Sequence, residues 1–86
     1  MNAEQIEMEL TQLKGKAIIL IIPVCGHSSL SMAGDLAVTT TPDHQVGFHV
    51  TGIIGGWAFI FYADDVASLE PSKSQGFARV VRMKSK

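Results

Sequence analysis

The stretch "QVGFHVTGIIGGWAFIFYA", residues 45 to 63, leaves this chain little choice but to build a sheet. Apolar side chains recur at alternate positions on both sides of Gly55-Gly56, the period of a strand with one buried face. Adjacent glycines supply the two positive-φ positions of a tight hairpin turn. Pairing Ile54 with Trp57 sets the register by counting, with Val50 opposite Phe61 and Phe48 opposite Ala63. Val46, Phe48, Val50, Ile54, Trp57, Phe59 and Phe61 then share the side that must face a core. The other side carries His49 opposite Tyr62, Thr51 opposite Ile60 and Ile53 opposite Ala58, and is itself half apolar.

The flanking segments fit around that hairpin. In "NAEQIEMELTQLKGK", Ile6, Leu10 and Leu13 fall at i, i+4 and i+7, which predicts a helix over about residues 3–14. Asn2 is placed as its N-cap, Glu4, Glu7 and Glu9 favour its N-terminal half, and Lys14-Gly15 stops it. So short a helix is unstable alone and must dock its apolar stripe. "KAIILIIPVC" reads as a buried strand between Gly15 and Gly26, apolar on both faces. "LSMAGDLAVTTT" alternates again, with Gly34 marking a bulge or sharp bend, and "TPDH" is a turn. After the hairpin, "DDVASLE" reads as one helical turn, "PSKSQG" as a loop and "FARVVRM" as the last strand. The expected fold is therefore mainly β. An N-terminal α-helix precedes a five-stranded, strongly bent small β-barrel over about residues 16–84, with a short helical turn before the last strand. Eighty-six residues make one domain.

Composition adds a constraint on association. The chain is 47% hydrophobic and only 17% charged, more apolar material than a small monomer hides comfortably. Self-association, with the chain itself as partner, is the expectation. A net charge of −1 gives no global attraction for a polyanion, although Arg79, Arg82, Lys84 and Lys86 crowd one end. Cys25 is the single cysteine, so no intramolecular disulfide forms and a reducing, cytoplasmic setting is expected. The longest apolar run, Ala17 to Cys25, is interrupted by Pro23 and is far too short to span a bilayer, so no membrane partner is expected.

A helix followed by five short, bent strands resembles, in element order, the Sm-like family of small barrels. That resemblance implies a ring of subunits that binds single-stranded RNA or DNA. In the family, the turn between the second and third strands grips a nucleotide with an Asp and an Asn. Here the turn reads "TTTPDHQVGF", with Asp43 in a similar place and no Asn after it. The Arg-Gly pair near the family's last strands is absent from "FARVVRMK". The implied nucleic-acid contacts are Thr41, Asp43, His44, Arg79, Arg82 and Lys84. A ring would pair strand 77–83 of one copy with strand 57–63 of the next, which protects both exposed edges. Ile53, Ile60, Tyr62 and Val81 are the apolar positions assigned to that contact.

Other constellations point to less. Asp64 and Asp65 follow the fourth strand directly. As a carboxylate pair they could hold a divalent cation or share a proton. Consecutive strand residues point to opposite faces, however, and aspartate is a preferred cap, so the pair reads as the start of a helical turn. Val66 and Leu69 then fall inward at i and i+3. Cys25, His27, His44 and His49 do not have the spacing of a zinc site, and Cys25 reads as a small buried hydrophobe. His49 is expected to stack on Tyr62 across the hairpin. Cys25 or Ser28 beside His27 is only a sequence neighbourhood, whereas catalytic groups are defined by geometry. No cofactor, metal ligand or catalytic residue is assigned. The leading expectation is an oligomeric Sm-like barrel binding single-stranded nucleic acid. The rivals are a protein-interaction module using the outer face of the hairpin, and a metal-dependent enzyme using Asp64, Asp65 and a histidine.

Overall fold

The structure is a computed structural model that describes residues 2–43, 45–52 and 56–84. It begins with helix α1 (Ala3–Gln12). Asn2 caps it: the Asn2 Oδ1 accepts from the Gln5 N–H at 2.9 Å, and the Asn2 N–H donates to the Gln5 Oε1 at 3.1 Å. This reciprocal capping box satisfies two donors that a helix start leaves open. At the other end Gly15 takes φ +81°, a conformation open to glycine.

Six strands follow: β1 (Ala17–Cys25), β2 (Ser28–Thr40), β3 (Val46–Gly52), β4 (Ala58–Tyr62), β5 (Val66–Pro71) and β6 (Arg79–Met83). They form one sheet in the order β4-β3-β2-β1-β6-β5. Every neighbouring pair is antiparallel except β1 and β6, which run parallel. The mainly-β class and the N-terminal helix are as expected. The strand number and the closure are not. The sheet has six strands, and its ends β4 and β5 do not pair with each other among the described residues. It is curled all the same, because only the 3₁₀ turn Ala63–Asp65 joins those two ends. Helix α1 contacts both that turn and β5, covering the gap.

The additional strand, β5, is the segment read from sequence as a helical turn and the start of a loop. Val66 and Leu69, three apart, do share the inner face, but through a bulge. Val66 pairs with Met83, Ser68 with Arg82 and Leu69 with Val81, so the register shifts between Val66 and Ser68. One extra residue in a strand turns a spacing of three into a same-face spacing. The i, i+3 signal was real, and its cause was a bulge rather than a helix.

Strand β2 is shared along its length. Its first half pairs with β1 up to Ala17–Asp35, and its second half pairs with β3 from Gly34–Gly52 onward. The changeover falls on Gly34, where a Cβ would lie 2.4 Å from the Thr51 carbonyl oxygen. Only a glycine fits so close a backbone approach. Inside the curl, Ile18, Leu20, Leu36, Phe48, Val50, Phe61, Val66, Val81 and Met83 form one buried cluster with Ile6 and Leu10 of α1 and with Leu13, its C-cap. The three helix residues expected to dock are the three that do.

The hairpin keeps its faces and slips its register. Val50 pairs with Phe59 and Phe48 with Phe61, two residues away from the pairing expected from a Gly-Gly turn. The Gly52 N–H donates to the Trp57 carbonyl at 2.9 Å, which extends the same register to the Gly52–Trp57 pair. A slip of two preserves side-chain parity, whereas a slip of one would have turned the core face outward. Gly52 lies beneath the Trp57 indole, where a Cβ would meet the ring at 2.4 Å. Ile54 and Gly55 of the expected turn lie outside the described residues.

Candidate functional site

The residues implied as nucleic-acid contacts do not converge. Thr41 closes the β2–β3 turn on itself: its N–H donates to the Gln45 carbonyl at 2.8 Å, and its Oγ1 accepts from the Gln45 N–H at 3.2 Å. Asp43 is exposed beside it, and His44 lies outside the described residues. Arg79 sits at the level of Gly34, as the pairings Ile18–Gly34 and Ile19–Val80 require. The turn begins six residues further along β2, about 20 Å away at strand rise. Arg79 shares the inward parity of the buried Val81, while Arg82 and Lys84 alternate to the other face.

Both arginines already face carboxylates. The Arg79 Nη2 lies 3.6 Å from the Glu9 Oε2 of α1. That is a charge contact longer than a hydrogen bond, and Glu9 Oε2 and Arg79 Nε are buried without hydrogen-bond partners. The Arg82 Nε donates to the Glu70 Oε2 at 2.6 Å, and the Ser68 hydroxyl donates to the same oxygen at 3.1 Å. These two bonds, from Arg82 first and Ser68 second, hold the Glu70 carboxyl below its ordinary value. The carboxylate in turn raises the Arg82 guanidinium.

The paired aspartates are separated by role. Asp65 Oδ2 accepts from the Tyr62 N–H at 3.0 Å, reaching back over the 3₁₀ turn, and the Asp65 carbonyl accepts from the Lys84 N–H at 2.8 Å. Asp64 is exposed. An open cleft of about 430 Å³ lies between the first turn of α1, the end of the β2–β3 loop and the 3₁₀ turn. Glu4, Glu7, Asp64, Asp65 and Tyr62 line it. Among the described residues, no three His, Cys, Asp or Glu side chains are placed to hold a metal ion. Cys25 is exposed with His27 at the β1–β2 tip, not buried as its residue type suggests. His49 pairs with Ile60, and Tyr62 instead stands over Gly47, whose Cβ would touch the ring at 3.4 Å. An aromatic ring commonly covers a cross-strand glycine in this way.

Of the apolar positions assigned to an oligomer contact, Ile60 is 63% exposed and Tyr62 37% exposed. Ile53 lies outside the described residues. Val81 is wholly buried and belongs to the chain's own core. Strand 77–83 cannot pair with a neighbour's hairpin either, because β6 is flanked by β1 on one side and β5 on the other. Sequence reasoning also missed the outer part of the β1–β2 hairpin, where Val24 is 66% and Leu30 50% exposed.

Among the described residues, strand β4 is the free end of the sheet on the hairpin side. Its unpaired groups follow from the ladder. Gly52–Trp57 is hydrogen-bonded, so antiparallel alternation makes Val50–Phe59 and Phe48–Phe61 the next bonded pairs. The N–H and C=O of Ala58, Ile60 and Tyr62 therefore point to the open edge. The Tyr62 N–H is the one that Asp65 occupies.

No described helix is long and apolar enough to cross a membrane. Comparison with known protein families, characterised proteins and solved structures finds no match to this chain.

Proposed function

We propose that this chain is a non-catalytic protein-interaction module that works by strand addition at the β4 edge. The carrying observation is the edge itself. "AFIFY" has open backbone groups at Ala58 and Ile60, a largely exposed Ile60 side chain, and no charge or proline to repel a pairing strand. A free edge of this kind is a template for another strand, and main-chain hydrogen bonds supply much of the affinity in such complexes. Such a strand also covers apolar surface that a chain with 17% charged residues otherwise exposes. A single free, exposed thiol suits a reducing compartment such as the cytoplasm.

The Sm-like reading, a ring on single-stranded RNA or DNA, is the rival. It needs unpaired cations near the β2–β3 turn, and the pairing of Arg79 with Glu9 and of Arg82 with Glu70 weighs against it. One set of experiments separates the two. Sedimentation equilibrium should show concentration-dependent association that Ile60→Lys abolishes. A fluorescent oligonucleotide should not bind at low salt. A monomer at every concentration, together with salt-dependent oligonucleotide binding lost in Arg79→Ala/Arg82→Ala, would reverse the choice.

A further inference from the structure

Resting on the interaction reading above, we propose that the strand received by the β4 edge is β4 of a second copy. The two run antiparallel about a twofold axis at Ile60, making one continuous sheet across two chains. The open backbone groups fit this pairing. Ile60 faces its own copy, exchanging N–H and C=O in both directions, and each Ala58 N–H meets the Tyr62 carbonyl of the other chain. The other donor of that pair, the Tyr62 N–H, would face the Ala58 carbonyl of the other chain, but Asp65 already holds it at 3.0 Å, so the ladder ends at this pair with one bond instead of two.

Charge selects the direction. Strand β4 is uncharged from Gly56 to Ala63, and the carboxylates Asp64 and Asp65 lie beyond one end only. Antiparallel pairing sets that acidic end beside the uncharged Gly56–Ala58 end of the other copy. Parallel pairing would crowd four carboxylates together, and like charges side by side on paired strands are destabilising.

Packing agrees on both faces. On the inner face Phe59 is half-buried at the open edge, with its ring 6.2 Å from Phe61. The twofold places Phe59 opposite Phe61 of the other chain, so both pairs join the aromatic row that continues to Phe48, 5.7 Å from Phe61. On the outer face Ile60 meets Ile60 across the axis, flanked on each side by His49. The β5 edge, by contrast, is bulged, ends in Pro71 and lies against α1, so it does not offer the same surface.

The test is site-directed cross-linking in a Cys25→Ser background, using a copper–phenanthroline oxidant. Facing residues of a bonded antiparallel pair lie about 5.5 Å apart at Cα, within disulfide reach. Ile60→Cys should therefore form a covalent dimer. Ala58→Cys alone should not, because its two copies would lie about 13 Å apart along the strands. A mixture of Ala58→Cys and Tyr62→Cys should give the mixed dimer. Ala58→Cys cross-linking to itself as readily as Ile60→Cys overturns the antiparallel arrangement. No cross-link at any of these positions, while the parent protein still associates and Ile60→Lys dissolves it, overturns the twofold and leaves the interaction reading standing. A parent protein that sediments as a monomer at all concentrations removes both.

Discussion

Strand β5 ends one side of the sheet bulged after Val66, with Glu70 in an ion pair, Pro71 at its terminus and α1 against it. Strand β4 ends the other side with Ala-Phe-Ile-Phe-Tyr, which has no charge, no proline and no bulge. Each device on β5 is a known way to keep an edge from pairing with a stranger. Their concentration on one edge makes the bareness of the other meaningful. The chain can protect an edge and does so where the sheet abuts its own helix. The single device on β4 is the Asp65 carboxylate, which blocks one donor at the end of the strand and leaves the middle open.

The strongest way to probe this asymmetry is to remove what anchors each edge. Phe61 is fully buried behind β4, so Phe61→Ala should lower stability by about 3–5 kcal/mol in chemical denaturation. Leu69 is half-buried behind β5, and the same truncation should cost about 1–2 kcal/mol. Equal losses would mean that β5 is anchored as deeply as β4 and needs no help from α1. Gly52→Ala comes next. The new methyl would force the Trp57 ring off its glycine, costing about 1–3 kcal/mol and shifting the emission of the chain's single tryptophan. Unchanged emission would mean that the ring has room to spare.

Asp65→Ala should have a smaller and two-sided effect. Losing the cap should cost about 1 kcal/mol, while freeing the Tyr62 N–H should strengthen association at β4. Weaker association would show that Asp65 supports the edge instead of blunting it. Asp64→Ala should leave both quantities unchanged.

On the β5 side the expected effect is the smallest and depends on pH. The folded Glu70 carboxyl titrates below its ordinary 4.5, so its stabilising contribution is complete above that pH. It is lost as acid protonates the folded carboxylate. Glu70→Gln should flatten the acid limb of the stability curve without altering association. A change in association would move the docking edge to β5.

Part of the fold was visible from residues alone, in particular places. The alternation from Val46 to Phe61 placed the hairpin faces correctly even though the register was off by two, because parity survives such a slip. Asn2, Ile6, Leu10, Leu13 and Gly15 described the helix and its ends, whereas Gly34, read as a bulge or bend, is a point of close backbone approach to Thr51 without a register shift. What was hidden depended on distant partners. Val66 and Leu69 read as helical because nothing local announces a bulge imposed by Met83 and Val81. Arg79 and Arg82 read as free cations because Glu9 and Glu70 reach them only through the fold. Val81 was assigned to a contact between copies because the parallel pairing of β6 with β1, which buries it, has no signature within either strand.

The most direct test of the open β4 edge is amide hydrogen exchange measured residue by residue in dilute and in concentrated protein. The account predicts that the Ala58 and Ile60 amides exchange quickly when dilute and become protected as concentration rises, while the amides of β5 stay the same. Unchanged exchange at Ala58 and Ile60, or protection that grows along β5 instead, would contradict it.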